Sequence, residues 1–129
     1  MIIKVVAALI EKDGKYLIAR RSTGSNEVLG KWEFPGGKVE NGESEKHALE
    51  REIEEEFELR IKAREYITNN IYAYSTKTVD LRLYKCDYLS GDFHLHDHSE
   101  YVWVNKADIL NYDLCPADIP LAKYIKEMK

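Results

Sequence analysis

The sequence lacks several features that mark whole classes of protein. Its 129 residues include two cysteines, Cys86 and Cys115, which are far apart and outside any metal-type spacing. This excludes a disulfide scaffold and a zinc ribbon, and it predicts a reducing, cytoplasmic location. There is no internal repeat or low-complexity tract. A chain of this length buries a core without disulfides or a structural metal, so we expect one domain over residues 1–129.

Long apolar runs and targeting signals are also missing. The apolar stretch at residues 1–10 is interrupted by Lys4 and is shorter than the roughly 20 residues that a membrane-spanning helix needs. No basic region precedes it and no obvious cleavage site follows it. Its β-branched residues predict a buried strand instead. We therefore expect no membrane partner.

Charge is unevenly distributed along the chain. The net charge is −4, but residues 40–58 carry nine glutamates against Lys46 and Arg51, so the remainder is weakly basic. A dense acidic patch is a poor surface for nucleic acid and a good one for divalent cations. With 44% hydrophobic and 33% charged residues, the composition is that of a folded globular protein.

Hydrophobic periodicity predicts a layered fold of strands and helices. Strands are expected near residues 1–10, 16–20, 64–74, 78–89 and 101–104, with a short extended piece over 32–37. One helix should begin after Ser44, a plausible N-cap, and end between Phe57 and Leu59. A short helix is expected over 106–110 and a terminal helix within 116–129. This order predicts an α/β or α+β domain.

The predicted central helix carries a cluster of three carboxylates. Glu52, Glu55 and Glu56 stand at positions i, i+3 and i+4, which places them on one helical face. Their repulsion destabilises a bare helix and is relieved by a cation, for which carboxylate oxygens select Mg²⁺ or Mn²⁺. A solvated acidic face is the alternative. The nearby Gly36–Gly37 turn and the embedded Arg51 favour a site.

These residues form a pattern that resembles the 23-residue Nudix box. The matching positions are Gly37, Glu43, Arg51-Glu52-Ile53, Glu55-Glu56 and Leu59. Glu58 replaces the family's late glycine, which is expected to cost some turn geometry. Residues 1–21 resemble the first strand pair of the Nudix family, and residues 30–40 resemble the entry to the box in its MutT-like, nucleotide-pool-cleaning branch. Residues 115–120 resemble the C-terminal segment of the CTP pyrophosphohydrolases of that branch. The resemblance implies an α/β/α sandwich with a mixed sheet between helices.

The same resemblance implies a chemistry. The expected reaction is Mg²⁺-dependent hydrolysis of a nucleoside triphosphate to a nucleoside monophosphate and pyrophosphate, and thus nucleotide-pool sanitation. Glu52 is expected to be the general base, and Arg51 is expected to orient it. Glu52, Glu55, Glu56 and the carbonyl of Gly36 are expected to hold the metal.

Two further roles near the metal are left open. Glu43 either joins the carboxylate cluster or is a structural salt-bridge partner of Arg51. Another acid from the region before Trp103 is expected to join the metal site. Glu100 matches best, three residues before the tryptophan, and Asp97 is the alternative.

Four residues are candidates for substrate binding. Phe34 stacks on the base or packs in the core, and Arg21 contacts phosphate or base or is a surface arginine. Gly37 presents its backbone to phosphate. Asp118 reads the base edge or caps the terminal helix. An ionised Asp accepts from the N4 amine of cytosine, which predicts CTP, dCTP or modified dCTP. A protonated Asp also donates, which leaves oxidised purines open.

Several alternatives remain at this level. The chain could be an 8-oxo-dGTP diphosphatase, a Nudix hydrolase of ADP-ribose or dinucleoside polyphosphates, or a catalytically silent nucleotide sensor. The presence of all three helix carboxylates favours an enzyme. The sequence is compatible with both a monomer and a homodimer. His94, His96 and His98 alternate along the chain and are expected to form a solvated edge rather than a metal site.

Overall fold

The computed structural model describes residues 1–128, so Lys129, at the end of the predicted terminal helix, lies outside the described residues. The strands are β1 (Ile2–Lys12), β2 (Lys15–Arg21), β3 (Trp32–Glu33), β4 (Gly36–Lys38), β5 (Arg60–Ala73), β6 (Thr78–Ser90) and β7 (His98–Val104). The α-helices are α1 (Glu45–Phe57) and α2 (Ile119–Glu127), and 3-10 helices span Lys106–Asn111 and Pro116–Asp118. No helix in this described part is long and apolar enough to cross a membrane.

The seven strands form one mixed sheet. The strand order is β3-β2-β1-β6-β5, with β4 paired to β1 and β7 paired to β2. β1 runs parallel to β6 along almost its whole length, and the other pairs are antiparallel. β2 pairs with β1 only beside the Asp13–Gly14 turn, and β4 pairs with β1 at Val5–Ala7. This division brings the two glycines of β4 against the middle of the sheet.

Each face of the sheet is covered by one helix, which confirms the predicted α/β/α sandwich. α1 packs through the buried side chains Ala48, Leu49, Ile53 and Phe57. α2 packs against the other face through Leu121, Ala122 and Ile125. Because strand side chains alternate between faces, each strand supplies residues to both cores.

The ends of α1 follow local sequence signals. The Ser44 hydroxyl accepts a hydrogen bond from the backbone N–H of His47 at 3.1 Å, as expected of an N-cap. At the other end Glu58 adopts the left-handed conformation, with φ 57° and ψ 34°, and its N–H donates to the carbonyl of Glu54. Glu58 therefore occupies the conformation for which glycine is best suited.

Two strands begin earlier than predicted, because partners distant in sequence extend them. β5 begins at Arg60, which pairs with Ser90 of β6. β7 begins at His98, which pairs with Arg21 of β2. The expectation of a solvated histidine edge is therefore wrong for His98, which is 6% exposed. His94 and His96 are exposed, in agreement with that expectation.

We expect Glu58→Gly to raise the free energy of unfolding by about 0.5–1 kcal/mol, because a Cβ in the left-handed region costs about 1–2 kcal/mol and glycine's extra unfolded-state entropy offsets part of that gain. Urea unfolding measures the change. Glu58→Ala is the control, since it keeps the Cβ but loses the 2.8 Å contact between Glu58 and the His96 ring. Equal stability of the two variants would contradict the conformational explanation.

Candidate active site

Arg51 holds the carboxylates at one edge of α1. Its guanidinium donates to both oxygens of Glu43 at 2.6 and 2.9 Å, to Glu52 Oε1 at 2.9 Å and to Glu55 Oε2 at 3.0 Å. It also donates to the carbonyl of Lys38. The hydrogen bonds from Arg51 lower the pKa of Glu43 to about 2. Glu43 is thus an ion-pair partner of Arg51, the structural alternative of the two, and Arg51 fixes one oxygen of Glu52.

Glu52 lies in a space that two glycines make available. Its side chain is 14% exposed and lies against Gly37, where a Cβ would collide with the carboxylate. A Cβ on Gly36 would collide with the carbonyl oxygen of Val6. The Gly-Gly pair therefore lets β4 approach both the sheet and Glu52. Burial raises the pKa of Glu52, and the hydrogen bond from Arg51 offsets part of that shift.

Glu56 is the carboxylate whose environment best fits a cation. Its Oε2 atom is buried and has no hydrogen-bond partner. Burial raises the pKa of Glu56 to about 8, and the neighbouring acids Glu33, Glu52 and Asp97 add to the shift. An unpartnered carboxylate oxygen among other acids is costly by itself and is stabilised by a divalent ion. These residues therefore fit the metal predicted from the sequence.

Glu55 is placed differently from Glu52 and Glu56. Its side chain is 59% exposed and is turned towards Arg51. Across residues 1–128, no three acidic, histidine or cysteine side chains already converge as a set of metal ligands. Glu55 is thus bound to Arg51 on the exposed side of the cluster, whereas Glu52 and Glu56 are more buried.

The structure separates Glu100 from this cluster and brings Asp97 to it. Glu100 binds Arg20 at 2.9 Å, and both side chains are exposed. It shares a strand face with Val102, which packs in the core beneath α2, so Glu100 lies on the face of the sheet opposite α1. Asp97 is near enough to Glu56 to raise the pKa of that carboxyl. The preference for Glu100 over Asp97 as the additional acid is therefore contradicted by the fold.

A cavity of about 220 Å³ lies beside the cluster, between the loop after β2 and the turn joining β5 to β6. Its charged and polar lining residues include Arg21, Glu33, Tyr74, Lys77 and Asp118. Asp118 is 5% exposed, and its Oδ2 accepts from the backbone N–H of Phe34 at 2.9 Å. Burial and the charge of Glu33 raise the pKa of Asp118 well above its usual range.

The structure bears on the alternatives for Asp118 and Phe34, while base reading by Asp118 stays a prediction. The side chain of Asp118 makes no capping hydrogen bond to α2, so the helix-cap alternative is wrong. Phe34 is 2% exposed and packs in the core between the sheet and α2. Its predicted role in stacking on a base is therefore contradicted, and core packing is observed. The aromatic side chain that lines the cavity is Tyr74, which the sequence reasoning missed.

Glu33 was not among the predicted site residues, although it lies between the cavity and the carboxylate cluster. Arg21 Nη1 donates to its two oxygens at 3.0 and 3.3 Å, and His98 Nε2 lies 2.8 Å from Glu33 Oε2. Glu33 lines the cavity and neighbours Glu56. Arg21, predicted to contact phosphate or base, thus lines the cavity as a partner of Glu33. The signal in the sequence was the position of Glu33 within the segment 30–40 that leads into the box.

Comparison with known proteins shows which family this chain matches. A family model described as NUDIX domain matches residues 5–124. A CTP pyrophosphohydrolase of Escherichia coli strain K12 is 41% identical over 119 residues, which cover 92% of this chain and 87% of the relative. A putative 8-oxo-dGTP diphosphatase 2 of Mycobacterium tuberculosis is 37% identical over 117 residues, which cover 88% of this chain and 81% of the relative.

A solved structure shows the same fold. The solution structure of the E. coli ORF135 protein superposes with a TM-score of 0.84 at 39% identity, covering 95% of this chain and 87% of that chain. The sandwich and the carboxylate-bearing helix are therefore those of a known class of hydrolase domain. The chain belongs to the Nudix family and is a Nudix hydrolase.

We expect the metal-free protein to lose stability as the pH rises from about 4.5 towards about 8. The pKa of Glu56 is raised by folding, so in this window the folded state binds a proton that the unfolded state has released. In Glu56→Gln the stability should depend less on pH across this window. Glu54→Gln, on the exposed side of α1, should keep the wild-type dependence of stability on pH. Thermal melting with a chelator measures both.

Adding Mg²⁺ or Mn²⁺ at pH 8 should raise the Tm of the wild type and of Glu54→Gln, since a bound ion stabilises the folded state. The rise should be much smaller in Glu56→Gln. An equal metal-induced shift in all three proteins would place the ion elsewhere.

Proposed function

We propose that the protein hydrolyses nucleoside triphosphates to nucleoside monophosphate and pyrophosphate with Mg²⁺, and that it prefers cytidine nucleotides. The observation that carries this proposal is the position of Glu33. It joins the unpartnered carboxylate of Glu56 to a cavity with Asp118 in its wall. The 41% identity to a CTP pyrophosphohydrolase supports the same substrate class. Residues 1–129 act in this proposal as one domain with a nucleotide as its ligand.

The proposed metal ligands are Glu52, Glu55, Glu56 and the carbonyl of Gly36, with Asp97 in place of Glu100. Nudix hydrolases generally need a divalent metal, usually Mg²⁺. When bound, Mg²⁺ supplies neutralisation of phosphate charge and lowers the pKa of a water molecule. Glu55 can bind the metal only if its hydrogen bond to Arg51 breaks. Arg51 would then keep its hydrogen bonds to Glu43 and to the carbonyl of Lys38.

Glu52 is proposed as the general base for the attacking water. Its Oε1 is fixed by Arg51, and the raised pKa of its carboxyl brings it nearer to the working pH, which favours proton transfer. Water forms a bond to the β-phosphorus, the bond from this phosphorus to the α-phosphate oxygen breaks, and Glu52 takes the water's proton. The products are a nucleoside monophosphate and pyrophosphate. Gly37 lies beside Glu52 and is proposed to present its backbone to phosphate.

Asp118 is proposed to read the base. In its ionised form it only accepts hydrogen bonds, so it pairs with the N4 amine of cytosine and repels the O4 carbonyl of uracil. Arg21 and the N–H of Phe34 favour this form, against the stronger effect of burial. The preference for CTP over UTP should therefore grow as the pH rises and Asp118 ionises.

One observation favours a second candidate, 8-oxo-dGTP. Because the pKa of Asp118 is raised, a neutral carboxyl is accessible, and that form donates one hydrogen bond while it accepts another. Oxidised guanine presents carbonyl acceptors to such a donor. The mycobacterial relative named as a putative 8-oxo-dGTP diphosphatase is consistent with this candidate.

We place the enzyme in the cytoplasm. Both cysteines are free and buried, and burial raises the pKa of each thiol, so neither is poised for oxidation. This arrangement suits a reducing compartment. The proposed reaction involves a soluble nucleotide and needs neither nucleic acid nor a membrane as partner.

Glu52→Gln should lower kcat by about 10²–10⁴-fold while leaving the Tm nearly unchanged, because it removes the general base but keeps the side-chain shape. Pyrophosphate release is measured with Mg²⁺ and a panel of CTP, dCTP, UTP and 8-oxo-dGTP. Glu54→Gln is the matched control and should keep wild-type activity. A Glu52→Gln protein with a tenth or more of the wild-type rate would remove Glu52 from the central role.

Asp118→Ala should lower kcat/KM for CTP far more than for UTP, by roughly 10–150-fold, since a lost hydrogen bond to a charged group is worth about 1.5–3 kcal/mol. Asp118→Asn keeps an acceptor and adds a donor, so it should narrow the gap between CTP and UTP. Initial rates on both nucleotides provide the comparison. Equal losses on CTP, UTP and 8-oxo-dGTP would eliminate the base-reading role of Asp118.

A further inference from the structure

Among the four histidines, which all lie in the described part of the chain, His98 alone is buried. Its side chain is 1% exposed, and its ring stacks on Phe57 of α1 with the centroids 4.8 Å apart. Nε2 lies 2.8 Å from Glu33 Oε2. Nδ1 is buried and has no hydrogen-bond partner. The ring is therefore fixed in place and has one polar contact, to Glu33.

This environment determines which ring nitrogen carries the proton. A buried N–H without an acceptor is costly, and a carboxylate oxygen can only accept. A proton on Nδ1 would leave that donor unpaired and would turn the lone pair of Nε2 towards Glu33. A proton on Nε2 satisfies the carboxylate and leaves only a lone pair unmatched at Nδ1. The contacts of the ring thus place a proton on Nε2, from which His98 donates to Glu33.

The Glu33 carboxylate is consequently held by two donors from different strands. Arg21 Nη1 in β2 binds it at 3.0 Å, and His98 in β7 binds the oxygen Oε2. Both Arg21 and Glu33 line the cavity, whereas His98 does not. Without the donor at Nε2, Glu33 is held by Arg21 alone and is free to turn with it. We therefore expect the loss of His98, which lies outside the cavity, to rearrange Arg21 and Glu33 in the cavity wall.

We propose that His98 is a positioning residue for substrate recognition, which fixes the Glu33 carboxylate, and through it Arg21, at the wall of the nucleotide cavity. The inference rests on the proposed function for the identity of the substrate. Glu52 and Arg51 are held by a separate set of contacts, so we expect the effect of His98 mainly on KM and base discrimination. A smaller effect on kcat is expected through Glu56, which neighbours Glu33.

Two substitutions separate positioning from packing. His98→Phe keeps an aromatic ring against Phe57 and removes the donor. His98→Gln places an amide N–H near the position of Nε2 and restores the donor without the ring. His96→Phe, at an exposed site, is the control. Steady-state hydrolysis of CTP and UTP and thermal melting are measured for all three and for the wild type.

We expect His98→Phe to raise KM for CTP about tenfold with kcat within about threefold of wild type, and to lower the preference for CTP over UTP; His98→Gln should bring KM back to within about threefold. A merely structural role predicts instead that kcat and KM change together with Tm and that Gln gives no rescue. That result, or an unchanged KM in His98→Phe, would overturn the inference.

Nuclear magnetic resonance of the ¹⁵N-labelled imidazole rings gives a readout that is independent of activity. At neutral pH the wild type should show His98 with a protonated Nε2 and a bare Nδ1, and Glu33→Gln should shift the Nε2 resonance. A bare Nε2 would overturn the inference, because His98 could then not donate to Glu33. A wild type that hydrolyses no triphosphate would overturn the proposed function and the recognition role with it, while the tautomer would still decide whether His98 holds Glu33.

Discussion

Repulsion among carboxylates that are partly withdrawn from water is the constraint on which this end of the molecule depends. Burial raises the pKa values of Glu52, Glu56 and Asp118, and the charge of Glu33 adds to the shifts of Glu56 and Asp118. At an effective dielectric constant of about 20, two such charges about 4 Å apart repel by about 4 kcal/mol, far more than an exposed pair on a helix. Arginine and histidine partners offset only part of this repulsion, and the buried oxygen of Glu56 is left for a cation.

The division of β1 between two antiparallel partners makes this concentration of charge possible. β4, and not β2, pairs with the middle of β1. The two glycines of β4 therefore lie beside the carboxylate cluster, and they have no side chains to occupy its space. α1 then packs close enough for Glu52 to lie against Gly37. A larger residue at Gly37 would push the Glu52 carboxylate away from Arg51. The arrangement of the charges therefore depends on the absence of a side chain at this position of β4.

The parts of the structure that follow from local signals could be predicted from the sequence. The cap at Ser44, the apolar stripe of α1 and the i, i+3, i+4 spacing of its acids depend on residues close in sequence. The surroundings of Glu33 and Tyr74 depend on the pairing of distant strands and on the cavity between their loops. For Glu33 the sequence offered only its position within the segment 30–40. No periodicity marks such residues, since their neighbours are set by tertiary contacts.

Glu100 and His98 both lie elsewhere than predicted from the sequence, and the two differences have a single physical cause. Two residues apart in a regular strand, they would share one face. The pairing of β7 with β2 shifts register between Arg20 and Arg21, where Arg20 pairs with Glu100 and Arg21 pairs with His98. This bulge turns His98 towards Phe57 on the α1 side, while Glu100 stays on the α2 side with Arg20. The extra residue in β7 therefore places Asp97 near Glu56 and His98 next to Glu33.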